Sequence, residues 1–358
     1  MSHPPPGGPP YPPQQPPWPP QQQWAPGPPP KKRGNGWKWA LGAVALLAVI
    51  GVTVAVTISV TKDDGSDDSN SSANTFSLAS ADDKGPANVI TEDPTCAAWT
   101  PINSTLAQAQ HNGWDSIDRS ISAEQWTTEQ RTQYDAVGRA MIAAADQSTR
   151  LVEITPHRVI RKLYEQFIAY ARAYGNAIPT YEPVDNYLAI VAADTSSALA
   201  NLCAAITYGT AQAWAPLLPA PDPPSRIAAI QNPNNPEQFL TAPDPTCGEW
   251  EGLLRRFQAD TTAWGTIDAS KPFAEWNPEQ RSVADSLKTV ISTFADDVED
   301  LGRRSESATL EDFAVLAAQY RRAFVEALPT YTSADSYLSG VAVDLTNAIF
   351  DACKAAGA

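Results

Sequence analysis

Histidine is nearly missing from this chain of 358 residues. His3 lies in a proline-rich stretch, and His111 and His157 fall where a duplicated segment carries Thr261 or its neighbour and Ser307. A His-dependent triad therefore has no support. Cysteine is limited to four residues. No His stands near any of them at ligand spacing, which removes the ordinary zinc arrangements. No glycine-rich phosphate loop occurs. Basic residues are outnumbered, with a formal net charge of −15. Nucleic-acid phosphates demand clustered Lys and Arg, so nucleic acid is not an expected partner. The sequence thus argues against an enzyme and calls for no cofactor or metal.

What is present is a repeat. Asp93-Pro94-Thr95-Cys96-x-x-Trp99 returns as Asp244-Pro245-Thr246-Cys247-x-x-Trp250. Trp114, Ile117, Asp118, Trp126 and Glu129-Gln130-Arg131 return as Trp264, Ile267, Asp268, Trp276 and Glu279-Gln280-Arg281. Tyr170-x-Arg172, Pro179-Thr180-Tyr181, Asp185-x-Tyr187-Leu188, Asp194 and Cys203 all have counterparts 150 positions on, at Tyr320, Pro329, Asp335, Asp344 and Cys353. One single-residue gap aligns the copies, which fixes the architecture as a duplicated module.

Taken in order, residues 1–36 alternate Pro with Gln, Gly and isolated aromatics. Such a stretch forms polyproline II but no packed core, and reads as a disordered cytoplasmic tail: a solvated tail on the plainer reading, a ligand for a Pro-recognising cytoplasmic partner on the sharper one. Residues 37–60 include an uncharged apolar run, Trp39 to Val60. It is long enough to cross a bilayer, and Trp37 and Trp39 stand at its edge. Lys31, Lys32, Arg33 and Lys38 place the N-terminal side in the cytoplasm. The expectation is a single-pass signal-anchor in the plasma membrane with both copies extracytoplasmic. Residues 61–92 read as an acidic flexible tether. The two modules occupy 93–206 and 244–358, and 207–243 is a Pro-rich linker. That linker also carries Trp214, Leu217, Leu218, Ile227, Ile230 and Phe239, more apolar groups than a free linker holds.

Within each copy the apolar period is helical. Leu287, Val290, Ile291, Phe294, Val298 and Leu301 fit one helix face. Leu310, Phe313, Leu316, Tyr320 and Phe324 fit another, and Leu338, Val341, Leu345, Ile349 and Ala352 a third. Asn277-Pro278-Glu279-Gln280 supplies a cap, a first-position proline and a capping-box Gln. Thr155-Pro156 supplies the cap and first-position proline of the next helix in the first copy. With short connections, the fold class is all-α: two tandem up-down-up-down four-helix modules. Each copy has one Cys at the start of its first helix and one at the end of its fourth, points that such a bundle brings together. The duplication therefore pairs Cys96 with Cys203 and Cys247 with Cys353. Each bond closes a loop of about 107 residues, stabilising by up to ~4–5 kcal/mol in the chain-entropy account.

The repeated Trp114, Asp118 and Trp126, with Trp264, Asp268 and Trp276, bracket a long loop in each copy. An aromatic pair flanking a carboxylate suits a ligand cradle. The plainer reading makes the tryptophans core plugs and the Asp a loop-fixing group. Asp194 and Asp344 flank the apolar face of the fourth helix, and Arg131 and Arg281 are the partners the sequence suggests for them.

The layout resembles a group of proline-rich, single-pass membrane proteins of actinobacteria, of the mycobacterial type. The Pro/Gln/Trp tail before Lys31-Lys32-Arg33, the anchor, Asp93-Pro94-Thr95-Cys96 and Thr155-Pro156-His157-Arg158 carry that resemblance. The second copy departs at the last motif, reading Ser305-Glu306-Ser307-Ala308. The resemblance implies the cell envelope, facing outward, and no substrate. The expected function is a non-enzymatic binding or scaffold module for an envelope protein or component. The alternatives are a small-molecule or lipid sensor and, behind it, a carboxylate-dependent envelope enzyme using Asp118 or Asp194.

Overall fold

Helix caps set the register of each copy. Thr127 and Asn277 accept hydrogen bonds from the backbone N–H of Gln130 and Gln280 at 3.2 and 2.8 Å. The two Gln side chains accept in return from the cap N–H groups at 2.9 and 3.0 Å. These reciprocal bonds satisfy donors that a helix start leaves orphaned. They open the longest helices, Thr128–Ile154 and Pro278–Arg303. The first ends at Thr155, which is extended (φ −68°, ψ 130°), as a residue preceding proline prefers. Thr155-Pro156 therefore closes this helix, and the next begins at Arg158 with His157 at its cap position, not with Thr155 as its cap.

A computed structural model describes residues 78–111 and 113–358. The tail (1–36), the apolar run (37–60) and most of the expected tether lie outside these. The described residues form no β-strand. The first copy supplies α1 (Cys96–His111), α2 (Thr128–Ile154), α3 (Arg158–Ala177) and α4 (Asn186–Thr207). Gly209, at φ 79°, turns the chain into the short α5 (Thr210–Trp214). The second copy supplies α6 (Cys247–Asp260), α7 (Pro278–Arg303), α8 (Ala308–Ala327) and α9 (Ser336–Ala355). Disulfides join Cys96 to Cys203 and Cys247 to Cys353, with Cα–Cα distances of 5.3 and 5.5 Å. The duplication had singled out this pairing.

All the apolar positions read on α8 and α9 are buried, and on α7 only Val290 is left partly exposed. The most extensive helix contact runs between copies, α4 against α9. Both copies fall in one compact unit. Helix α4, with its preceding turn (Pro183–Thr207), is long and apolar enough to cross a membrane by length and composition, but most of it is buried inside the fold. Here its apolar surface is spent on α3 and α9.

Residues 78–92, read from sequence as the end of a tether, lie against the helices instead. Leu78, Ser80, Ala87, Val89 and Ile90 are all buried. Two observations explain the difference. Arg158 Nη1 donates to the carbonyls of Asp83 and Gly85, each at 3.0 Å. Tyr320 Oη, from the second copy, meets Ile90 N and O, each at 3.4 Å. The segment between the copies is held in the same way. Phe239 stands edge-on between Tyr170 and Phe313, one ring from each copy. Gln166 accepts from Phe239 N at 2.8 Å and donates to Glu237 O at 3.1 Å.

Candidate functional site

The repeated Asp-Pro-Thr-Cys motif works as a knot. Asp93 Oδ1 accepts from Thr95 N (2.8 Å) and from the Thr95 hydroxyl, while Oδ2 accepts from Thr155 Oγ1 at 2.6 Å. Asp244 does the same with Thr246 and with Ser305 Oγ at 2.8 Å, and adds Glu306 N at 2.9 Å. The start of each copy is thereby tied to the corner between its second and third helices. Burial acts to raise the Asp244 carboxyl, but the donors from Thr246, Ser305 and Glu306 outweigh it and hold the group below its usual range.

The six loop residues form one aromatic corner per copy. Trp114 is buried, donates through Nε1 to Tyr174 Oη at 3.3 Å, and carries the Arg119 guanidinium 4.4 Å from its ring centre. Trp126 stacks on Tyr134 at 3.8 Å and donates to Ile121 O at 2.9 Å. Asp118 is bonded to Ser120, accepting from its N–H at 3.0 Å and its hydroxyl at 2.6 Å. The Ser120 hydroxyl, then its N–H, hold Asp118 below the ordinary carboxylate range. The second copy repeats the plan. Trp276 donates to Lys271 O at 3.1 Å and packs 5.1 Å from Tyr331. Trp264 is edge-on to Trp276, Phe324 and Tyr331, and Asp268 accepts from Ser270 at 3.1 and 2.6 Å.

The densest chemistry lies elsewhere, where α3 meets α8. Arg158, Arg161, Lys162, Glu165 and Gln166 are all buried on α3, as are Glu311, Asp312 and Gln319 on α8. Arg158 holds Asp312 through two parallel bonds, Nε to Oδ2 at 2.9 Å and Nη2 to Oδ1 at 2.8 Å. Arg161 pairs with Glu165 at 2.9 Å and donates to Ser80 Oγ at 2.8 Å. Lys162 lies 2.8 Å from the other Glu165 oxygen and donates to Ala229 O at 3.2 Å. Glu311 accepts from Ser225 N and Oγ at 3.0 and 2.8 Å and faces Arg303 at 3.5 Å. Buried charges must be paired and hydrogen-bonded to persist. Here the partners come from both copies and both connecting segments, so the seam neutralises itself.

Sequence reasoning missed this seam. A readable signal did exist: Arg161 and Lys162 stand 150 positions before Glu311 and Asp312. At equivalent sites one copy is cationic and the other anionic.

A second polar contact crosses between α4 and α9. Asn201 Nδ2 donates to Asp344 Oδ2 at 2.7 Å. Its symmetry mate is Asp351, 150 positions after Asn201, facing Asp194. Arg131 and Arg281, expected from sequence to pair with Asp194 and Asp344, donate instead to the carbonyls of Ala123 and Ala274 at 2.6 and 2.8 Å. They close their own loops, far along the chain from the fourth helices. The charged group beside Asp344 is Arg321 of α8. It lies over Phe257 and Phe294, 4.8 and 5.3 Å from their ring centres.

An uncharacterised protein of Mycolicibacterium smegmatis (strain MKD8) is 47% identical over 339 residues, spanning 93% of this chain and 90% of that one. No solved structure matches the chain. A family model described as "Mycobacterial ESX-1 associated protein" matches residues 78–357, the region that holds both disulfides, the aromatic corners and the buried seam. This chain belongs to that mycobacterial ESX-1 associated family.

Proposed function

We propose that the chain is a membrane-anchored envelope protein that serves the ESX-1 secretion system as a non-enzymatic binding or scaffold module. The family match across residues 78–357 carries this reading. Two further observations support it. Disulfides that close each copy suit an oxidising compartment outside the cytoplasm, where residues 37–60, preceded by Lys and Arg, would place them. The buried ionic groups of the α3–α8 seam are matched to one another, which suits a rigid body better than a reaction centre. On this reading each copy is an up-down-up-down four-helix module, and a secretion-system or envelope component is the partner. The Pro-rich tail reaches a cytoplasmic one.

Crosslinking in intact mycobacterial cells, from photoreactive residues placed at the exposed Leu217 and Tyr208, tests this proposal. ESX-1 subunits or secreted substrates should be recovered. Crosslinks no different from those of an unrelated anchored protein would refute it.

A second reading, a sensor of a small apolar molecule, draws on a groove of about 230 Å³ between α6 and α7, lined by Leu253, Phe257, Val290 and Phe294. Phe257 and Phe294 stand where the first copy has Leu106 and Ala144, so the first copy does not share this aromatic lining. Thermal shifts of the full chain against a panel of envelope lipids would test it. A shift abolished by Val290→Trp supports the sensor, and no shift with any lipid dismisses it.

A further inference from the structure

The contact between α4 and α9 joins equivalent helices of the two copies, and one of the positions at which they differ changes its chemistry. On one side Asn201 donates to Asp344 at 2.7 Å, an amide serving a carboxylate. On the other side the amide is replaced by a second acid, so Asp194 faces Asp351. Two ionised carboxylates offer each other no donor. Asp194 is buried, and its Oδ2 finds no donor among the described residues. One proton between the two acids restores the missing hydrogen bond.

We propose that Asp194 and Asp351 form a proton-sharing clasp between the two copies, closed while they hold a common proton and loosened once both are ionised. The step is a simple dissociation. The acid hydrogen leaves for solvent, and two carboxylates remain facing each other across the contact. The clasp stands apart from the proposed function and does not depend on it.

The surroundings favour the protonated pair. Asp194 is pushed up by burial and then by the charges of Asp351 and Asp344. Asp351 is pushed up to about 7, chiefly by burial, with its bond to Asp194 and then Lys354 pulling the other way. Lys354 is itself engaged by Glu251 of α6 at 3.1 Å. From α8, Arg321 faces Asp344, which burial pushes up to about 7 against the pull of Asn201 and Arg321. From α1, Asn103 accepts from Ser196 Oγ at 2.9 Å, two residues past Asp194. Arg321 therefore serves Asp344 and Lys354 is shared with Glu251, which leaves the acid pair to a proton.

The sign follows from linkage. Carboxyls raised above their unfolded value bind more protons folded than unfolded, so stability is greatest in acid. It falls as pH climbs from about 4, the ordinary Asp value, toward the folded value near 7.

The test compares urea unfolding of the disulfide-intact full chain with that of Asp351→Asn and Asn201→Asp at several pH values. Asp351→Asn copies the Asn201 arrangement and gives Asp194 a donor. Its folding constant should fall less steeply than the wild type's, by about tenfold per pH unit between pH 5 and 6. At pH 8 it should be the more stable protein. Asn201→Asp builds a second acid pair and should steepen the fall by a similar factor. If Asp351→Asn keeps the wild-type slope to within about twofold, the clasp does not exist. That comparison decides the matter even where Asn201→Asp fails to fold.

Discussion

Arg158 and Asp312 stand 154 residues apart and meet through two parallel hydrogen bonds of 2.9 and 2.8 Å, each side chain 1% exposed. Neither belongs to the copy that supplies the other. Asp312→Ala leaves a desolvated guanidinium facing an empty site, which costs about 3–5 kcal/mol for a buried pair broken on one side. Urea unfolding should show that loss. A cost under about 1 kcal/mol would mean that water reaches Arg158.

Gly340 and Gly248 make a matched pair of tests. A Cβ on Gly340 would come within 2.6 Å of Asn201 Nδ2, whereas one on Gly248 meets nothing within 4 Å. Gly340→Ala should displace Asn201 from Asp344 and cost about 1–3 kcal/mol, as overpacking does. Gly248→Ala, in α6, should instead stabilise by about 0.5–1 kcal/mol through helix propensity. Thermal or urea melts of the two variants read this directly, and equal effects would contradict the packing described.

The disulfides should be worth more than any single packing contact. With closed loops of 107 and 106 residues, replacing either pair by Ser should cost about 4–5 kcal/mol by the chain-entropy relation. Peptide mapping without reductant should find Cys96 with Cys203 and Cys247 with Cys353. Bonds between copies, or free thiols, would be incompatible with the fold.

Acid acts on Asp244 in the opposite sense to the clasp. Its folded carboxyl is held below the ordinary value by Thr246, Ser305 and Glu306 against burial. Its contribution is present above about pH 4 and is lost as pH falls through the folded value. Asp244→Asn should therefore be less stable than wild type at pH 6, and the gap should narrow at pH 3. A gap that stays constant over that range would place its effect outside ionisation.

Much of this fold was legible because local signals and the duplication agreed. The capping pair Asn277–Gln280, the faces of α7, α8 and α9, and the cysteine pairing needed only spacing and repetition. The tryptophans at 114, 126, 264 and 276 were visible as repeated positions, and the structure seats them against Tyr174, Tyr134 and Tyr331. What sequence could not give was the polar pairing between copies and with the connecting segments. Arg158, Arg161 and Lys162 look like a solvated helix face because no neighbour in the chain neutralises them all. Their partners Asp312, Ser80 and Ala229 arrive from another copy or a connecting segment. Residues 78–92 were misread for the same reason. Their composition suits a tether, and the groups that bind them down, Arg158 and Tyr320, are distant in sequence.

The central claim is that duplication produced one cooperative body, locked by the α3–α8 seam and the α4–α9 contact, rather than two independent bundles. Hydrogen exchange of the full chain in sub-denaturing urea reads it most directly, comparing core amides of α3 with those of α8. Convergence of both sets on a single opening free energy, lowered together by Asp312→Ala, is the predicted result. If α8 opens and closes while α3 stays protected, the copies fold separately and the claim is wrong.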